Sequence, residues 1–152
     1  MDQLDRSGER VEWLRRCMLW VLVLGLVGTE TELILLEHYE DPWQFVPLIL
    51  VALGFVVLVW HARQGNASTL RMLKIIMGLF VIAGLAGLAL HFRGAANYQL
   101  ELDPTLGRWD LIKKVMRVKA PPVLAPGVML QLGLIGLAYA YSDSRERGSK
   151  PS

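Results

Sequence analysis

The sequence predicts an all-α integral membrane protein: an antiparallel four-helix bundle with an amphipathic interfacial helix in its third loop. Three observations carry this expectation. Four long apolar runs divide the 152-residue chain, and nearly all charges fall in the short segments between them. None of the runs has the charged face that a helix of a soluble bundle presents. A hydrophobic fraction of 53% and a mean hydropathy of +0.38 would also suit a soluble protein rich in Leu and Val, so distribution decides where composition does not. The length suits a single domain, 1–152.

A helix needs about 20 predominantly apolar residues to cross the hydrocarbon core. The first candidate span, 17–36, is broken only by Thr29-Glu30-Thr31-Glu32, and the second, 45–60, has no charge. The third, 72–92, carries Lys74 near its entry. The fourth, 125–141, is short, and Pro126 suits its first helical turn. A cleaved signal peptide is the competing reading of the first run, but no small-x-small site follows it. The single cysteine, Cys17, excludes an internal disulfide and any cysteine-based metal site, and reads as a small buried hydrophobe.

Orientation follows from Lys and Arg in the loops. Both tails and the second loop carry ten of them, including Arg15, Arg16, Arg63, Arg71 and Arg145, whereas the loop 37–42 has none. The third loop, 93–122, dissents with six, so ten against six places both termini on the cytoplasmic side of the cell membrane. Amphipathic rings favour the headgroup level. Trp20, Trp60, Tyr139 and Tyr141 accordingly mark the inner boundary, and Trp43 the outer one.

Within the third loop, Asp103-Pro104-Thr105 reads as a turn. Over 106–118, apolar Trp109, Ile112, Val115 and Met116 alternate with Arg108, Lys113, Lys114 and Arg117 at helical spacing, the pattern of a helix lying in the interface. Lys119-Ala120-Pro121-Pro122 then forces an extended break. The chain also hints at duplication. Gly25-Leu26-Val27-Gly28 resembles Gly84-Leu85-Ala86-Gly87, and Pro47 with Leu53-Gly54 matches Pro126 with Leu132-Gly133 at the same offset. Two such hairpins would be related by an axis along the membrane normal.

The residues most in need of a reason are Glu30 and Glu32, since an acid near the centre of a span costs about 2.5–3.5 kcal/mol. At about 100° per residue, Glu32 shares a stripe with Gly25 and Gly28, and Glu30 lies nearly opposite, in line with Glu37 and Asp41. Small residues admit a neighbouring helix, so Glu32 is expected to face the bundle interior and Glu30 the outside. His91, spaced from Gly84 and Gly87 in the same way, and Gln131, at the depth of Glu32, complete a candidate polar site in the outer half. Three chemistries compete there. These are a divalent metal held with His38 or His91, a proton relay, and a purely structural hydrogen bond between Glu32 and Gln131. His61, next to Trp60, reads as interfacial, and His38 and His91 lie too near the surface for a bis-histidine haem.

The remaining motifs are negative. No phosphate loop, His-Glu-x-x-His or Gly-x-Ser-x-Gly occurs, so no cofactor and no soluble type of enzyme is expected. A net charge of +2 without a basic stripe excludes nucleic acid as a partner. Asn66-Ala67-Ser68 matches a glycosylation acceptor but falls in the expected cytoplasmic loop. The leading expectation is a non-enzymatic membrane component that meets the lipid bilayer and associates with itself or within a larger membrane complex. The alternative is a small proton- or cation-coupled transporter using Glu32.

Overall fold

The computed structural model describes residues 2–37, 42–117 and 124–149, with side chains over 8–37, 42–117 and 125–143. Within those residues the chain is helical with no strand: α1 (Asp2–Leu35), a 3-10 turn (Pro42–Gln44), α2 (Phe45–Gln64), α3 (Ala67–Leu102), α4 (Arg108–Met116) and α5 (Leu124–Ser149). Among the described residues, three helical segments are long and apolar enough to cross a bilayer: Gly8–Leu35, Pro42–Gln64 and Ala67–Leu102.

Two helices outrun the apolar runs that announce them. At 1.5 Å per residue α1 and α3 are about 51 and 54 Å long, against a hydrocarbon core of about 30 Å. Hydropathy marks where a helix meets lipid, whereas a helix stops where its hydrogen-bond ladder is broken. Nothing in 2–16 breaks it, and Glu12 ties to Arg16 one turn on, with Oε1 3.1 Å from the guanidinium. After Phe92 the good helix formers Ala95, Ala96, Gln99, Leu100 and Glu101 carry α3 on to Leu102, ahead of Pro104. Part of the expected third loop is therefore a helical extension.

The turn between α3 and α4 forms as the sequence suggests. Asp103 Oδ1 accepts hydrogen bonds from the Thr105 amide at 3.1 Å and hydroxyl at 2.6 Å. These bonds, with Lys114 nearby, hold the Asp103 carboxyl below its ordinary range. The helix then runs from Arg108 to Met116, inside the expected 106–118, of which Val118 lies outside the described residues. It packs on α3, burying Val115 completely, so it is the second arm of a helical hairpin. Trp109, Ile112 and Met116 form a stripe along its exposed face, Trp109 being 75% exposed. The expected loop segment 38–41 and the break at 119–122 lie outside the described residues.

The two-residue turn between α2 and α3 follows directly from its residues. Gly65 takes the left-handed conformation (φ 55°), which glycine adopts without strain, and its amide caps the His61 carbonyl. Asn66 then caps α3 by accepting from the Thr69 amide at 2.9 Å.

The four long helices contact one another in a ring: α1 with α2 and α5, and α3 with α2 and α5. The most extensive contact is α3 against α5, and its cause is glycine. A Cβ on Gly84 would lie 2.7 Å from the Leu130 amide nitrogen and 2.9 Å from the Pro126 carbonyl oxygen; one on Gly133 would lie 2.9 Å from the Met77 carbonyl oxygen. These backbones approach because no side chain separates them. The positions matched by the suggested duplication are not equivalent in packing. Gly25 meets only the Leu132 side chain, and Gly28 faces open space, whereas Gly84 meets backbone.

Candidate functional site

The middle of the ring is filled by Leu22, Leu26, Leu58, Leu73, Met77 and Phe80, all fully buried. Toward the end that carries Glu32, small residues take over: Ala83, Ala86 and Gly87 on α3, and Ala125 on α5. They cannot fill the space that Phe80 and Met77 fill one or two turns away. A largely apolar vestibule of about 530 Å³ results, with walls from α1, α2, α3 and α5. The two matched prolines, Pro47 and Pro126, both line it.

Of the four residues expected in a polar site, Glu32 and His91 line this vestibule; Glu30 and Gln131 do not. The expected faces of α1 need correction. Its buried stripe is Leu22, Leu26, Thr29 and Leu33, rotated by roughly 100° from the glycine stripe, one residue's worth of turn. The reason is that Gly28 meets nothing, while the larger apolar side chains find the core. Glu30 and Glu32 therefore flank the stripe on opposite sides. Glu32 lies on the side of Gly25, which faces α5, and is exposed into the vestibule. Glu30 lies on the side of Leu26, which sits beside Gly54 of α2; it is half-buried, and its Oε2 is buried without a hydrogen-bond partner. Glu30 is thus the more enclosed acid, the reverse of the expectation. Gln131 is exposed on the outward face of α5 and makes no hydrogen bond to Glu32.

The opposite end of the ring holds a polar cluster that the sequence conceals. His61 on α2, expected at the interface, is only 2% exposed. Its Nδ1 lies 3.0 Å from Thr69 Oγ1 on α3, and its Nε2 lies 3.4 Å from Asp143 Oδ2 on α5. Asp143 Oδ1 in turn accepts from the Arg15 guanidinium of α1 at 2.8 Å. Tyr139, expected at the headgroup level, is buried with its ring edge-on to His61, centroids 6.2 Å apart. Thr69 Oγ1 can donate to the Asn66 carbonyl, 3.0 Å away, while accepting from His61 Nδ1–H. It can equally donate to Nδ1 and leave Nε2–H to Asp143, so either arrangement satisfies the ring. One residue from each of four helices meets here, and the cluster ties them by charge and hydrogen bonds. The trace in the sequence is periodic: Asp143 continues the stripe Gly133, Gly136 and Ala140 at intervals of three and four.

Beside this cluster, Lys74 Nζ lies 4.4 Å from the centroid of the exposed Tyr141 ring, a cation–π contact between α3 and α5. Among the described residues no three His, Cys, Asp or Glu side chains gather as metal ligands would. No protein family, characterised protein or solved structure matches the chain.

Proposed function

We propose that the chain is a four-span, non-enzymatic membrane component that acts by associating with a second copy of itself. The observation that carries this reading is Gln131. It sits in mid-helix on α5, exposed and outside the ring's contacts, with Gly127 one turn before it and Ala138 two turns after it on the same face. In a bilayer a polar side chain so placed has no water to meet, and an amide satisfies itself best against another helix. A primary amide is both donor and acceptor, so two copies related by a two-fold axis complete each other's hydrogen bonds. Gly127, with open space where a Cβ would be, lets the partner helix come close. The exposed stripe of Trp109, Ile112 and Met116 on α4 offers further apolar surface at the Glu32 end.

The test is the oligomeric state in mild detergent and in nanodiscs. The wild type is expected to be a dimer, and Gln131→Leu to weaken it about tenfold, the 1–2 kcal/mol of an interhelical amide bond in model systems. A monomeric wild type, or a Gln131→Leu dimer of unchanged strength, would sink the proposal.

With both termini cytoplasmic, the Glu32 end faces outward. In a Cys17→Ser background, Glu40→Cys is expected to react with an impermeant thiol reagent in intact cells and Ser68→Cys only after lysis. Ser68 is exposed and leaves the Asn66 cap intact. The opposite pattern would mean that the six basic residues of 93–122 set the orientation. Coupled transport through Glu32 draws support from the vestibule, but it requires a path through the apolar layer of Leu22, Leu26 and Phe80, which is closed here.

A further inference from the structure

The vestibule has a composition that selects its occupant. Its walls are Leu33, Val46, Val128 and Met129 together with small alanines, so most of any ligand's surface meets apolar side chains. A concave, mostly apolar site with a few placed polar groups is the usual form of a small-molecule site, and about 530 Å³ lies within the usual size range. Among the described residues no Lys or Arg lines it. The one carboxylate among its described lining residues, Glu32, makes no hydrogen bond or ion pair with any described residue, and His91 stands on α3 in the same lining.

We propose that the vestibule binds a single-chain amphiphile with a cationic amine headgroup, its chain between α1, α2, α3 and α5 and its ammonium on Glu32. The argument is charge complementarity over an apolar body. An anionic headgroup here would meet a carboxylate with no cation among the described lining residues to offset it, and a neutral headgroup would leave that carboxylate unpaired. An ammonium gains a charge-assisted hydrogen bond from the same group. The small residues that open the space are what the chain needs. Replacing Ala86 by Trp would fill it from the α3 wall.

The experiment uses the full-length protein in nanodiscs of zwitterionic lipid at neutral pH, with tritiated dodecylamine as probe and empty nanodiscs subtracted. Saturable binding is expected. Unlabelled dodecylamine should displace the probe at least tenfold better than dodecanol, and dodecanoate should be the weakest competitor. Glu32→Gln is expected to reduce amine affinity about tenfold, to that of the alcohol, and Ala86→Trp to abolish binding of both. Dodecanoate competing as well as the amine, or unchanged amine affinity in Glu32→Gln, overturns the headgroup assignment. Binding that survives Ala86→Trp, or no saturable binding at all, overturns the site. Because Glu32 is exposed and Ala86 faces the cavity, both variants should keep the wild-type unfolding temperature, which is read on the same samples. None of these outcomes depends on the dimer, whose test reads Gln131.

Discussion

Replacing Asp143 with Ala is expected to destabilise the protein by about 3–5 kcal/mol, the usual effect of removing one partner from a buried ion pair. The carboxylate joins three helices at once, since Oδ1 receives the Arg15 guanidinium and Oδ2 faces His61 Nε2. Without it, a guanidinium that is mostly buried and a fully buried imidazole lose the charged group placed between them. Unfolding in mixed micelles, followed by circular dichroism, reads the change. A cycle with Arg15→Leu separates the pair from its context, and the double variant should be less destabilised than the two single changes sum to. Strict additivity would mean that Arg15 and Asp143 are braced by other groups and that their contact contributes nothing. Asp143→Asn should fall between, because the amide keeps one acceptor for Arg15 while losing the charge.

Gly84→Ala and Gly133→Ala should each cost about 1–3 kcal/mol, a large effect for one methyl group, because the obstruction is backbone. A methyl on Gly84 would press on the Leu130 nitrogen and the Pro126 oxygen, and one on Gly133 on the Met77 oxygen. Neither can swing away as a side chain would, so α3 and α5 must separate. The controls carry the opposite sign. Gly78 and Gly28 have nothing within reach of a new Cβ, so alanine there should stabilise by up to about 1 kcal/mol through helix propensity alone. Equal effects at all four positions would show that α3 and α5 do not meet through their glycines.

These residues also show how much of the molecule could be read in advance. Three of the four apolar runs foretold helices long and apolar enough to cross a bilayer, because burial in lipid demands unbroken apolar sequence. The amphipathic segment appeared as α4 because its periodicity is a local property. The start of α1 and the end of α3 were hidden, since hydropathy is silent about polar helical turns. The faces of α1 were misplaced for a subtler reason. A glycine can mark close approach or mere absence of a side chain, and Gly28 is the second kind while Gly84 is the first. The vestibule was half legible: Glu32 and His91 share it, but that Gln131 turns outward depends on how α5 docks on α3. His61 and Asp143 stand 82 positions apart, each beside polar sequence that explains it locally, so only the fold brings them together.

The ring is uneven from end to end. At the His61 end all four helices are tied to one another, and α3 and α5 stay joined through Gly133 and Gly84 toward the other end. On α1, Gly28 makes no close contact, and Gly25 meets only a side chain. The ring is therefore graded: α3 and α5 form its firmest pair, and α2 packs more extensively on α3 than on α1, which leaves α1 the most lightly held of the four. Parting α3 from α5 would break the most extensive contact in the ring, and lifting α2 from α3 the next.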